Sequence, residues 1–143
     1  MQRSFVTRRK VEFSHTDMAG ISHFTNYFRY MEEAEHEFLR SIGLNVVMQD
    51  AKGTYGFPKL SAECRYRRPA VYGAELTIHM HVHADDGKTI SYRCQLLEQD
   101  ELVAEGQIQV ACCRFPANQL PFAIPLTDEV LAKLGDGKEP VGA

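Results

Sequence analysis

The sequence predicts an α+β domain in which one central helix lies against a curved antiparallel sheet of five strands. Two patterns carry this. Residues 26–42 repeat apolar side chains at helical spacing, with Tyr27, Met31, Ala34, Phe38 and Ile42 four, three, four and four positions apart. After a loop, the chain reads as strands, because four segments alternate apolar and polar residues at a period of two. A sheet that is apolar on one side needs a cover, and residues 26–42 form the only element able to supply it.

The elements follow in order. Residues 5–13 read as the first strand, with Arg9, Val11 and Phe13 alternating with Arg8, Lys10 and Glu12, so that the charged side is an edge or a solvent face. Residues 14–20 are rich in turn formers. The helix has Thr25 or Asn26 as its N-cap. Tyr30 widens its apolar stripe, and Arg29, Glu32, Glu33, His36, Glu37 and Arg40 occupy the other sides. Gly43 suits the stop, since it takes the left-handed conformation without a Cβ clash. A loop containing Gly53 and Gly56 leads to the row Leu60, Ala62, Cys64, Tyr66, which Pro69 and Gly73 terminate. Leu76, Ile78, Met80 and Val82 form the next row, with His79, His81 and His83 on the other side. The turn Asp85-Asp86-Gly87 leads to Ile90, Tyr92, Cys94 and Leu96. A hairpin tip at Gln99-Asp100-Glu101 leads to Ala104, Gly106, Ile108, Val110 and Cys112. Four strands in series suggest a meander. Pro116, Pro121 and Pro125 exclude a regular strand near the end. Thr127 caps a short helix with Asp128 and Glu129 in its first turn, Leu131 and Leu134 on one side, and Gly135 after it. The expectation is one domain over residues 1–135 and a disordered, frayed tail over 136–143.

Composition narrows the partners. A chain of 143 residues buries a core on folding without a disulfide or metal staple. A formal net charge of −3 argues against a nucleic-acid-binding surface. Cys64, Cys94, Cys112 and Cys113 show no CxxC spacing and read as small buried hydrophobes rather than reactive thiols. Residues 1–10 lack a signal-peptide apolar core, and no apolar run approaches the roughly 18 residues of a membrane span. A cytoplasmic location without membrane contact is the expectation.

The segment His15-Thr-Asp-Met-Ala-Gly-Ile-Ser-His-Phe-Thr-Asn-Tyr27 carries the chemistry. Asp17 is a loop carboxylate three residues before Gly20, and on spacing alone it reads as a turn former. The helix that follows gives it a second reading. The first helical amides, near Phe24 to Asn26, lack intrahelical partners and suit an oxyanion. A carboxylate just upstream could attack a carbonyl held there, or activate water against it.

This run resembles the signature of hotdog-fold acyl-CoA thioesterases of the 4-hydroxybenzoyl-CoA thioesterase type, through Asp17, Gly20, Asn26 and Tyr27. Glu33-Ala34, Ile42-Gly43-Leu44, Tyr66-Arg-Arg-Pro69 and Gly87-Lys-Thr-Ile-Ser91 extend the likeness to residues 11–114. The resemblance implies hydrolysis of an acyl-CoA by a catalytic Asp17. It also implies a Phe24 backbone N–H that polarises the carbonyl, with Gly20 and Asn26 completing the site. Tyr27, Lys88 and His23 are then substrate contacts. Many relatives carry a histidine where this chain has Phe24, and here His23 stands one residue earlier. Phe24 instead suits an apolar or aromatic acyl group. The likeness further implies a homodimer or homotetramer with the site built across the dimer.

Thioester chemistry fits so sparse a site. A thiolate with a pKa of roughly 8.5 needs little protonation to leave, so one carboxylate and one oxyanion donor suffice. No cofactor or metal is called for. His79, His81 and His83 share a strand face, but no nearby carboxylate shares it, which favours a solvated or subunit-contact face over a metal site. Lys88, Arg93 and Arg114 are the cationic candidates for the phosphates of CoA, Lys88 foremost because it sits in a turn with Gly87. Acyl carrier protein is an alternative handle. Two rival functions stand beside hydrolysis: a hotdog hydratase or dehydratase, using His15 or His23 with Asp17, and a non-catalytic acyl-binding module.

Overall fold

A computed structural model of the chain describes residues 2–135 and 141–142. Strand β1 (Gln2–Lys10) runs through a 3-10 turn (Phe13–His15) and a loop into helix α1 (Asn26–Ser41). A hairpin of β2 (Val47–Asp50) and β3 (Gly53–Gly56) follows, then the long strands β4 (Lys59–Tyr66), β5 (Glu75–Ala84), β6 (Thr89–Glu98) and β7 (Glu101–Ala111). Short strands β8 (Cys113–Arg114) and β9 (Phe122–Ala123), helix α2 (Asp128–Gly135) and a two-residue strand β10 (Val141–Gly142) complete the order.

The long strands pair antiparallel in the order β1-β5-β6-β7-β4, and β10 adds a parallel sixth strand against Phe5 and Val6 of β1. The expected tail therefore pairs at Val141–Gly142, while residues 136–140 and 143 lie outside the described residues. The expected meander is corrected at one strand. β4 does not pair with β5; it crosses to the far side and pairs with β7. Period-two alternation fixes which way a strand faces, not which strand lies beside it. The connection from Arg67 to Ala74 makes the crossing: Arg67 N–H reaches Val103 O, Ser22 N–H reaches Ala70 O, and Gly73 N–H reaches Val11 O. One edge of the sheet is consequently β4 itself, whose residues are exposed apart from the half-buried Cys64.

The apolar rows of β5 and β6 are buried as their alternation requires, and α1 packs on them. Phe38 of α1 meets Phe5 edge-on at 5.7 Å and Tyr92 at 6.3 Å. Gly106 of β7 allows the helix its close approach, because a Cβ there would lie 2.6 Å from Met31 Sδ and 2.7 Å from Glu63 O. The helix stops where expected, with Gly43 at φ +82° and Leu44 N–H returning to Leu39 O. Three local readings change. The first strand ends at Lys10, and Phe13 is exposed in the 3-10 turn. The loop around Gly53 and Gly56 is a hairpin that joins β8 and β9 in a second small sheet. In α2, which Thr127 caps by accepting Val130 N–H at 3.3 Å, Val130 and Leu134 are the buried residues.

Candidate active site

The loop between the 3-10 turn and α1 is held at both ends. Thr16 and Ser22 form a bridge, as do Ile21 and Val71. Within it Asp17 N–H donates to Ile21 O at 2.9 Å, and Gly20 N–H donates to Asp17 O at 3.0 Å. Asp17 Oδ1 accepts the Ala19 N–H at 2.8 Å. Asp17 is thus the turn former that its spacing suggested. Its Oδ2 accepts no hydrogen bond among the described residues. Gly20 has φ +79° with open space where a Cβ would sit, so backbone conformation rather than crowding selects glycine.

The helix entry supplies the donor. His23 N–H reaches His15 O at 2.8 Å, Asn26 N–H reaches His23 O at 2.9 Å, and Thr25 N–H reaches His23 Nδ1 at 3.3 Å. The Phe24 N–H between them has no acceptor among the described residues. Its carbonyl is fixed by the Tyr66 hydroxyl at 2.9 Å, and its ring is 59% exposed. The Asn26 side chain is nearly buried and donates through Nδ2 to His15 O at 2.6 Å, tying the loop to the helix. Tyr27 lies in the core between Tyr30 and Tyr66, with ring centroids at 5.8 and 5.2 Å. Burial pushes its phenol up to about 12, so it stays protonated.

Neither histidine of the segment bonds to Asp17. His15 Nδ1 lies 3.0 Å from the Tyr30 hydroxyl and 3.1 Å from Glu12 N. His23 Nδ1 lies 2.7 Å from Thr25 Oγ1, and its ring stacks at a tilt on Phe24 at 4.6 Å. The structure thus gathers Asp17, Gly20, His23, Phe24 and Asn26 at the entry to α1 and sets Tyr27 behind them.

Lys88 stands elsewhere. Asp17's loop is bridged to Val71, ahead of β5, whereas Lys88 follows the far end of that strand, whose ten residues extend over about 33 Å at 3.3 Å per residue. Arg114 is committed, with its guanidinium 2.7 Å from Asp50 Oδ1 and 5.6 Å from the Tyr55 ring centroid. Arg93 lines a dent of about 370 Å³ with Arg65, His81 and Glu63 on the sheet face turned away from α1. On the same face His81 Nδ1 is 3.3 Å from Ser4 Oγ.

A cleft of about 460 Å³ opens beside the helix entry, lined by Thr25, Phe28 and Arg29 of the α1 segment and by Lys59, Ala62 and Ile108 of the sheet. Sequence reasoning missed Tyr66 as the residue that fixes the Phe24 carbonyl, placing it in an apolar row and in the Tyr66-Arg-Arg-Pro69 strand break. It also missed Glu35, fully buried and held by Lys59 Nζ at 2.5 Å. The signal was present: Glu35 falls four residues after Met31 and three before Phe38, on the buried stripe.

The architecture is the hotdog fold. The profile of the Thioesterase-like superfamily matches residues 11–134, and the chain belongs to that superfamily. A putative esterase of Aquifex aeolicus is 34% identical over 71% of this chain and 79% of its own length. A 1,4-dihydroxy-2-naphthoyl-CoA hydrolase of Trichodesmium erythraeum is 34% identical over 66% of this chain and 70% of its own. The structure of 4-hydroxybenzoyl-CoA thioesterase from Pseudomonas sp. strain CBS-3 superposes with a TM-score of 0.77 at 19% identity, covering 92% of this chain and 99% of that one. Among the described residues no helix is long and apolar enough to cross a membrane.

Proposed function

We propose that this chain hydrolyses the thioester of an acyl-CoA to the free acid and CoA. Asp17 acts as nucleophile or general base, and the Phe24 N–H polarises the thioester carbonyl. The observation that carries this reading is the unpartnered Phe24 amide at the helix entry, beside a loop whose carboxylate keeps one oxygen unbonded among the described residues. A fixed amide aimed where negative charge develops stabilises the tetrahedral intermediate without reorganising. Thiolate needs little protonation to depart, so one carboxylate and one amide suffice for the chemistry. Asn26 and Gly20 serve as positioning residues, one through its bond to His15 O and the other through its left-handed backbone.

The acyl group is aromatic in this reading. The exposed Phe24 ring and the cleft beside it offer apolar surface to a ring, and the hydrolase of Trichodesmium erythraeum is named for a naphthoyl thioester. Lys88 meets a CoA phosphate only where a second copy of the chain brings the two ends of the sheet together. The hydratase alternative loses support, because His15 and His23 spend Nδ1 on partners other than Asp17. The test is a panel of aryl- and alkyl-CoAs, with acyl carrier protein thioesters in parallel, read by free thiol and by product mass. Release of CoA with an aryl acid is the expected result. Water addition with the thioester intact, or binding without turnover, would overturn the reading.

A further inference from the structure

We infer that His15 is a positioning residue that holds the Asp17 loop through its carbonyl and through an accepting Nδ1, with the ring proton on Nε2. The inference rests on the proposed thioesterase site and concerns how that site is kept in shape. Four hydrogen bonds converge on the carbonyl and Nδ1 of His15, besides its own N–H to Glu12 O at 3.0 Å. Its carbonyl accepts His23 N–H at 2.8 Å and Asn26 Nδ2 at 2.6 Å, and its Nδ1 accepts Glu12 N–H at 3.1 Å and faces Tyr30 OH at 3.0 Å.

The backbone amide settles the tautomer. Glu12 N–H can only donate, so Nδ1 must carry a lone pair and the ring proton sits on Nε2. Tyr30 must then donate to Nδ1, leaving its oxygen to accept from Ser22 Oγ at 3.2 Å. Burial raises the Tyr30 phenol, with Glu33 and Glu12 adding to the effect, which keeps that proton in place. The loop's two ends are thereby joined through one chain of bonds, His15 to Tyr30 to Ser22, and Ser22 N–H is in turn anchored on Ala70 O at 2.7 Å. Asp17 sits between those ends.

The other tautomer reverses the logic. With its proton on Nδ1 the ring would face the Glu12 N–H donor and lose that bond, and Tyr30 would have to turn from donor to acceptor. The charged and titratable groups around the ring are Glu12 from its own turn, and Tyr30, Glu33, Arg29 and His23 around the cavity that His15 lines.

The experiment compares wild type, His15→Asn and His15→Ala in thiol release from the best aryl-CoA, alongside the imidazole nitrogen spectrum of the wild type. Asparagine offers an acceptor near the place of Nδ1 and does not titrate. The spectrum should show the His15 proton on Nε2 at about pH 8, where an imidazole is neutral. His15→Ala should lower kcat by about 10–100-fold, the scale of a small misplacement of a reacting group, with little change in KM. His15→Asn should recover most of that loss. A proton on Nδ1, no recovery in His15→Asn, or full activity in His15→Ala would overturn the proposal. Should His15→Ala fail to fold, the nitrogen spectrum of the wild type and the rate of His15→Asn decide the matter between them. The spectrum needs no turnover, so a chain that hydrolyses no acyl-CoA would sink the thioesterase reading while the tautomer still decides this one.

Discussion

In the proposed mechanism Asp17 combines two tasks. Oδ1 closes a local turn on Ala19 N–H, which fixes the carboxylate's direction, while Oδ2 remains for chemistry. The fixing extends through Asn26, whose Nδ2 bond to His15 O ties loop to helix. Asn26→Ala should therefore reduce kcat by about 10–100-fold with little effect on KM. The accompanying loss of stability should be about 1 kcal/mol, since His15 O keeps its bond from His23 N–H. Steady-state kinetics beside thermal melts check this; an unchanged kcat would remove Asn26 from the site. Asp17, Gly20, Asn26 and Tyr27 stood out in the sequence through their likeness to the thioesterase signature, in a run that enters α1. The roles of His15, Ser22 and Tyr30 were not. Their bonds depend on how the loop folds back on α1, which spacing along the chain does not encode. Phe24 was legible as an amide at a helix entry, but the Tyr66 hydroxyl that fixes its carbonyl comes from β4 and could not be read.

Helix α1 carries a buried charge on its packed side. Glu35 is fully buried, Lys59 Nζ holds Oε1 at 2.5 Å, and Oε2 has no partner among the described residues. Burial raises the Glu35 carboxyl above its ordinary value, against the lowering effect of Lys59. The native state then keeps a proton that the unfolded chain releases, so this group's contribution to stability falls as pH rises from the ordinary carboxylate value toward the raised one. Removing the cation widens that window. Lys59→Met should destabilise the chain by about 3 kcal/mol at about pH 8, where the carboxylate is left uncompensated, and by clearly less at about pH 5. Denaturant titrations at the two pH values decide it, and equal losses would refute the argument. The α1 stripe and the strand rows were legible because burial imposes their periods. The place of β4 was not, since its alternation is the same whichever neighbour it takes. The β2–β3 hairpin escaped notice because short strands around two glycines read as loop.

The single chain leaves β4 as an open edge, and that edge carries Leu60 at 57% and Tyr66 at 46% exposure. Phe13, Phe24 and Tyr72 are exposed as well, and Phe13 and Tyr72 meet edge-on at 6.1 Å. An open edge strand with apolar side chains calls for a partner, and a second copy aligned on β4 would extend the sheet and cover them. Light scattering at micromolar concentration should give two or four times the mass of the chain. A monomer would contradict both the assembly and the route by which Lys88 reaches a CoA. The α+β architecture was legible in the sequence because one helix and one apolar sheet face require each other. The exposure of β4 follows from strand order and appears only once the chain is folded.

Asp17→Asn isolates the proposed chemistry from the turn. Asparagine keeps the size and can still accept Ala19 N–H through its carbonyl oxygen, but it loses the charge and the basicity. Single-turnover thiol release by wild type and Asp17→Asn, compared at matched thermal stability, should show a loss of at least about 10²-fold. A variant that keeps more than about a tenth of the wild-type rate, against that expected loss, would reduce Asp17 to a turn former.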